Sequence, residues 1–497
     1  MASFAFFQAL ACNQPHGNMH MPSLTLGGSP PVSHRRAFAL WIVLAAQLML
    51  AMDFLIVVVA LPRIQLDLGF TPAALTWVPN AFGLAFGGLL LLGGRLGDII
   101  GQVRAFRMGL TIFVAASLVG GLAQAPMILI AARVVQGIGA ALAAPSVLAL
   151  VMVMSRDDAE RARGLSLFTA VSSIGASAGL ILGGILTDFL SWRWALFINV
   201  PVGIFVVIAI GRLVAETHPK PARLDVSGAL TATIGSVALV YGFISAADHG
   251  WIAAGTLGSF LAATILLVAF FQIEQRHAAP LLDLSLLRDR ARLGGLAVMA
   301  LIVGVHFAVL FMLVQYLQRV LGWTPLGAGL GYMPLTITVY AISHFAPRLI
   351  VRFGARALMV AGSAIVAVSL LGFAMLDNAS SYFPAVFIPL LIHATGIALI
   401  FAPGTVAIMD GVPEEHAGTA SGLLQMDQQI GGALGIAVMT AIYAFASVPG
   451  TFAAGLPEAF KGGAILAVLA AIVAWRAMGS SAKGVATPSG PTPVIRP

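Results

Sequence analysis

The stretch Trp41-Ile-Val-Leu-Ala-Ala-Gln-Leu-Met-Leu-Ala-Met-Asp53-Phe-Leu-Ile-Val-Val-Val-Ala-Leu61 decides the fold. It is almost wholly apolar and about 20 residues long, enough to cross the roughly 30 Å hydrocarbon layer of a bilayer as a helix. At ~1.5 Å of rise per residue, Asp53 lies about 13 Å from Pro62, the expected end of the helix, and so near the midplane. A charge at that depth costs at least ~2.5 kcal/mol, which makes Asp53 a candidate functional group. The plain alternative is a carboxyl that only ties two helices together.

The remainder of the 497 residues has the same character. The chain is 59% hydrophobic and 9% charged, with a mean hydropathy of +0.98, whereas soluble domains carry roughly 25% charged residues. This is the composition of an all-α polytopic membrane protein. The net charge of +7 would suggest nucleic acid in a soluble chain. Here the basic residues stand singly or in small groups between apolar runs, so no nucleic-acid partner is expected and their placement reports topology. Cys12 is the single cysteine, which excludes an intramolecular disulfide. Residues 1–37, with their Pro, Gly, His and Asn, read as a disordered cytoplasmic tail rather than a signal peptide.

Fourteen apolar stretches of spanning length follow, the first at about 38–61 and the last at about 457–476. With the N-terminus inside, 21 of the 26 Lys and Arg fall in inner segments. Only Arg63, Arg193, Arg319 and Lys461 fall in outer ones, with Arg133 inside the membrane. That asymmetry predicts that both ends are cytoplasmic. Leu68-Gly69-Phe70-Thr71-Pro72 recurs as Leu321-Gly322-Trp323-Thr324-Pro325, and Arg95-Leu96 with Gly101 recurs as Arg348-Leu349 with Gly354, both at an offset of 253. The chain therefore reads as two related six-helix bundles of the same orientation, 38–214 and 294–476. Two linker helices are inserted at 226–272, and a C-terminal tail covers 477–497. Parallel repeats mark transporters whose halves rock about a site at the midplane. The same offset carries Asp53 onto His306.

Three motifs add chemistry. The inner loop between the second and third spans reads Gly94-Arg95-Leu-Gly97-Asp98-Ile-Ile-Gly101-Gln-Val-Arg104, in which glycines permit tight turns and Asp98, Arg95 and Arg104 can pair or cap helix ends. The fourth span carries Arg133 at a depth comparable to Asp53, and a buried guanidinium needs a partner that a carboxylate on a neighbouring helix would supply. The fifth span has Gly175, Gly179, Gly183 and Gly184 at helical spacing, where small residues let helices touch.

These motifs resemble those of the major facilitator superfamily. Together with Trp192-Arg193-Trp194 through Asn199-Val-Pro201, Met52-Asp53, Asp225-Val-Ser-Gly228 and Gln315-Tyr316-Leu-Gln318, they are similar to its fourteen-helix drug:proton antiporter family. The resemblance implies the major facilitator fold, a cytoplasmic gate at Gly94, Arg95, Gly97, Asp98, Gly101 and Arg104, proton coupling by Asp53 and Arg133, and an export-associated glycine run in the fifth span. It departs at Leu180, where a proline is usual, and at Val58, where an asparagine is usual, so the polar surroundings of Asp53 should be thin.

Candidate substrate contacts are Asp427, about nine residues into the thirteenth span, with Gln315, Tyr316 and Met426; Trp77, Phe82 and Tyr332 are candidate lining. No P-loop and no His-Glu-x-x-His occurs, so neither bound ATP nor a metal cofactor is expected. The expected protein is no enzyme but a secondary transporter in the bacterial inner membrane. It would act as a monomer, use the proton gradient and export apolar, often cationic small molecules. The alternatives are a dedicated metabolite exporter, a proton symporter, or a non-transporting sensor or scaffold on the same fold.

Overall fold

The computed structural model describes residues 34–155, 157–217, 224–277, 280–282, 284–412, 417–448 and 451–478. The expected tails lie outside these apart from residues 34–37, which open the first helix, and 477–478. Among the described residues there is no β-strand. The long helices are α1 (His34–Leu68), α2 (Trp77–Ile100), α3 (Gln102–Gly121), α4 (Pro126–Met154), α5 (Asp158–Phe189), α6 (Asn199–Leu213), α7 (Val226–His249), α8 (Ala254–Arg276), α9 (Arg290–Arg319), α10 (Met333–Phe373), α11 (Phe387–Met409), α12 (Ala417–Ala446) and α13 (Leu456–Ala477).

Among the described residues, thirteen apolar helical stretches are long enough to span a membrane, one of them the 49 residues Pro325–Phe373. At 1.5 Å per residue that stretch is about 74 Å long, over twice the hydrocarbon thickness. It breaks at Gly354, whose φ of 78° and ψ of 156° are not helical. It therefore crosses twice, and the thirteen stretches make the fourteen crossings expected from the sequence.

The end of the first helix is different from the expectation. α1 runs through Pro62 to Leu68 and stops at Gly69, with φ of 72°. A spanning helix tolerates the lost N–H of a proline, whereas a left-handed glycine reverses the chain. Asp53 remains central, 19 residues from His34 and 15 from Leu68.

The offset of 253 is written into the backbone. Gly69 and Gly322 have φ of 72° and 68°, and Gly101 and Gly354 have 97° and 78°. Thr71 accepts from the amide of Ala74 at 3.0 Å, and Thr324 accepts from that of Gly327 at 3.1 Å. These turns repeat the same local backbone at equivalent places in the two halves.

α5 lies against α1, and α12 against α9, through glycines that leave no room for a side chain. A Cβ at Gly179 would meet the Met52 carbonyl oxygen at 2.8 Å, and one at Gly183 the Ile56 oxygen at 2.5 Å. On the other side Gly431 and Gly435 abut Ala300 and Gly304 in the same manner. The two groups of helices meet along α2 and α12 and again at the end that holds the turns at 69–73 and 320–324. There Gln318 Nε2 donates to the Val59 carbonyl at 2.8 Å, Arg319 donates to Gln65 Oε1, and Gly329 and Gly184 press on the backbones of Leu180 and Leu326. Near mid-height Phe54 of α1 stacks on Phe307 of α9, with centroids 4.7 Å apart. The inserted α7 packs on both α2 and α12 and so lies across the seam between the halves.

Candidate functional site

Asp53 and Arg133 are both fully buried, and Arg133 Nη1 stands 2.5 Å from Asp53 Oδ2. The guanidinium also donates from Nη1 to Gln136 Oε1 at 3.0 Å and from Nε to the Val78 carbonyl at 3.1 Å. Its carbon sits 4.4 Å from the centroid of the Phe82 ring, a favourable place for a desolvated cation. Nη2 has no hydrogen-bond partner. The second oxygen of Asp53 accepts from Asn199 Nδ2 at 2.8 Å and from Gln136 Nε2 at 3.3 Å. Ser117 Oγ accepts from Gln136 at 2.7 Å and donates to the Phe113 carbonyl at 2.8 Å.

Helices α4 and α6 thus meet α1 at one carboxylate, and α2 and α3 complete the cluster through Arg133 and Gln136. An ion pair repays its desolvation only when its remaining donors and acceptors are satisfied, and here Gln136 and Asn199 do that for the acid. The thin polar surroundings expected from Val58 are not found. Val58 is buried and apolar, but α4 and α6 supply the amides instead.

Asn199 owes its place to the motif ahead of it. Arg193 Nη1 and Trp192 Nε1 donate to Asp67 Oδ2 at 2.6 and 2.9 Å, and Arg193 Nη2 donates to the Ala123 carbonyl at 3.0 Å. The turn before α6 is thereby tied to the end of α1 and to the α3–α4 turn. Asn199 and Ser117 are not among the site residues expected from the sequence. The available signal was an amide at the first turn of an apolar run, directly after the tryptophan motif.

The glycine run bears on the same spot. Gly175, Gly179 and Gly183 of α5 touch Ala51, Met52 and Ile56, the turns of α1 on either side of Asp53, while Gly184 touches Leu326 across the seam. In the expected gate loop, Asp98 accepts from Gln102 Nε2 at 2.9 Å, and Arg95 donates to the Pro280 carbonyl. Arg104 Nε lies 3.7 Å from Glu216 Oε2. Glu216 also accepts the amides of Val103 and Arg104 at 3.0 and 2.9 Å, so it caps the first turn of α3, where an anion is stabilised by the helix dipole. Gly101 adjoins that cap: a Cβ on it would collide with Glu216 Oε1. Gly97 likewise lies against the Gln102 side chain, and Gly94 against Pro145 of α4.

The expected substrate residues do not gather in one place. Tyr316 is fully buried, and its hydroxyl donates to the Asp377 carbonyl at 2.8 Å. Gln315 donates to Phe311 within its own helix at 3.4 Å and borders a crevice with Phe311, Tyr443 and Phe452. Tyr332 donates to the Leu310 carbonyl at 2.8 Å, Phe82 lies under Arg133, and Trp77 packs on Tyr241 of α7. Met426 and Asp427 are partly buried on α12, where the Met426 carbonyl faces Gly87 of α2. Asp427 Oδ2 is buried without a hydrogen-bond partner. Among the described residues no group of three His, Cys, Asp or Glu could hold a metal ion.

Residues 43–436 match the Major Facilitator Superfamily. The chain is 36% identical to the cephamycin export protein CmcT of Amycolatopsis lactamdurans over 442 residues, 88% of this chain and 91% of that one. It is 36% identical to the puromycin resistance protein pur8 of Streptomyces alboniger, covering 82% of each chain. Among solved structures, a bacterial homologue of the human lysosomal transporter Spinster superposes with a TM-score of 0.65 at 16% identity, over 91% of this chain and 98% of that one.

Proposed function

Because this chain belongs to the major facilitator superfamily, a superfamily of membrane transporters, we propose that it exports apolar organic compounds of the antibiotic type in exchange for protons. The observation that carries this reading is the buried Asp53, Arg133, Gln136 and Asn199 cluster at mid-membrane, a titratable group held by a fixed cation and two amides. The names of the relatives, a cephamycin exporter and a puromycin resistance protein, support outward movement of such compounds. The bacterial source of those relatives and the uneven spread of Lys and Arg support the inner membrane, with both termini cytoplasmic.

With Asp53 ionised, its oxygens draw α1, α4 and α6 together. A proton on Asp53 removes the anion, leaves Arg133 to Gln136 and the Val78 carbonyl, and loosens α1 from α4 and α6. α1 carries α5 with it, because the glycines of α5 rest directly on the backbone beside Asp53. The far end of α5 bears on Leu326 of the other half, so the state of the carboxyl reaches the seal between the halves. With the termini cytoplasmic, that seal lies at the outer end of the helices. Met426 and Asp427 lie on α12 where it packs on α2, and the buried, unpartnered Asp427 Oδ2 suits contact with a cationic compound.

The test is efflux of ethidium from proteoliposomes under an imposed pH gradient, with and without a protonophore, for wild type and Asp53→Asn. Wild-type efflux should stop when the gradient is collapsed, and Asp53→Asn should lose gradient-driven efflux while keeping the wild-type elution profile in detergent. Wild-type efflux that survives the protonophore would refute proton coupling. Asp427→Asn should lose ethidium and retain neutral compounds; equal effects on both would remove Asp427 from substrate contact.

A further inference from the structure

The second half holds a polar chain of its own. His306 Nδ1 of α9 lies 3.1 Å from His393 Nε2 of α11, with the rings nearly parallel at 13° and 5.3 Å apart. His393 Nδ1 lies 3.1 Å from Ser369 Oγ of α10. His393 and Ser369 are fully buried, and His306 is half-buried beside Phe307, the ring that stacks on Phe54 across the seam. The offset of 253 places His306 on Asp53, Ser369 one residue from Ser117, and His393 one turn along from Gln136. The first, fourth and third helices of each half therefore contribute a linked polar triplet at the same height: Asp53, Gln136 and Ser117 in one half, His306, His393 and Ser369 in the other.

The direction of these hydrogen bonds is determined. Ser369 Oγ donates to the Val366 carbonyl at 2.6 Å, so it accepts from His393 Nδ1–H. A neutral imidazole carries one N–H, so His393 Nε2 is an acceptor and His306 must donate Nδ1–H to it. His306 Nε2 is left as a bare lone pair on the half-buried ring. It is the atom at which the chain can take up a proton, and the resulting cation would be held by a charge-assisted bond to His393.

The charged groups on the helices packed against α9 are few. α1 offers Asp53, engaged by Arg133, with Arg36 towards one end and Arg63 and Asp67 at the other. α12 offers Asp427, and α13 offers Glu458, Lys461 and Arg476 at its ends; α11 adds only His393. No ion pair joins any of these to either histidine among the described residues. A proton on His306 would thus place a positive charge in the middle of α9, with no ion-pair partner among the described residues.

We propose that His306 and His393 form a second proton-binding site, in the second half of the chain, at the place that Asp53 and Gln136 hold in the first. Its part in transport depends on the proton-driven reading above, but its protonation does not and can be read without transport. The chain has 10 histidines, so the protein is labelled with ¹⁵N-histidine, placed in nanodiscs and titrated by NMR from alkaline to acid pH. His306→Gln and His393→Gln assign the two rings. Two resonances should move in a single step as one shared proton is taken up, and that step should vanish in either variant. If one glutamine variant does not fold, Ser369→Ala keeps both rings and should shift the His393 Nδ1 resonance alone. Rings that stay neutral across the range would overturn the proposal. In proteoliposomes containing a pH dye, His306→Gln should lower proton entry per ethidium exported, and an unchanged ratio would overturn a part in coupling. Ethidium export without any proton entry in wild type would refute the proton-driven reading itself, while the NMR titration would still decide the histidine pair.

Discussion

At the scale of single residues, the balance at Asp53 is between two buried charges rather than within one. Asp53→Asn leaves Arg133 buried with no anion, a change that costs about 3–5 kcal/mol in comparable pairs. Its melting temperature in detergent should fall, and the double variant Asp53→Asn with Arg133→Gln should recover most of the loss. Neither should restore gradient-driven efflux. A double variant no more stable than Asp53→Asn would mean that the pair is not what the cluster stabilises. Arg133→Lys keeps the charge but not the fork that serves Asp53, Gln136 and Val78 at once, so it should leave efflux well below wild type. How much of this site could be read from the chain follows from distance along it. An isolated Asp and an isolated Arg in apolar runs announce themselves because each is costly alone. Asn199 and Ser117 are cheap residues that become costly to lose only once the helices bring them to Asp53, so the sequence offers no penalty to notice. Tyr316 misleads for the reverse reason: a tyrosine in an apolar run suggests a binding face, but its hydroxyl is spent on the carbonyl of Asp377.

At the scale of helices, the contact of α5 with α1 is made by absence of side chains. A methyl group at Gly183 would stand 2.5 Å from the Ile56 oxygen, and such overpacking typically costs about 1–3 kcal/mol. Gly183→Ala should lower both the melting temperature and efflux. Gly258→Ala is the control, because nothing lies within 4 Å of that position on α8, and it should be neutral in both measurements. A comparable loss in Gly258→Ala would show that the α1–α5 contact is not what is being measured, since alanine is itself the better helix former. Leu180 stands where a proline is usual, and its carbonyl oxygen lies against Gly329 of the other half. The straight continuation of α5 is thus part of the seal.

At the scale of the whole molecule, Gln65 and Arg319 face each other across the halves. In a chain with Cys12 replaced by serine, Gln65→Cys with Arg319→Cys should be joined by a short thiol cross-linker. Efflux should then stop and return on cleavage of the link. Export that continues with the link in place would contradict movement of the halves at this end. Much of this architecture was legible because the duplication repeats its turns: Gly69 and Gly322 demand the same left-handed backbone, and Gly101 and Gly354 do likewise. The helix end at Pro62 was not, since proline forbids less in a bilayer than in water. The seal itself has a pharmacological consequence. Its partners are largely main-chain atoms, the carbonyls of Val59 and Leu180 and the backbone of Leu326. Most substitutions alter side chains and leave these atoms where they are. A compound built to wedge into this seam by binding those carbonyls would meet a surface that resistance mutations have few ways to redraw, unlike a pocket lined by exchangeable side chains.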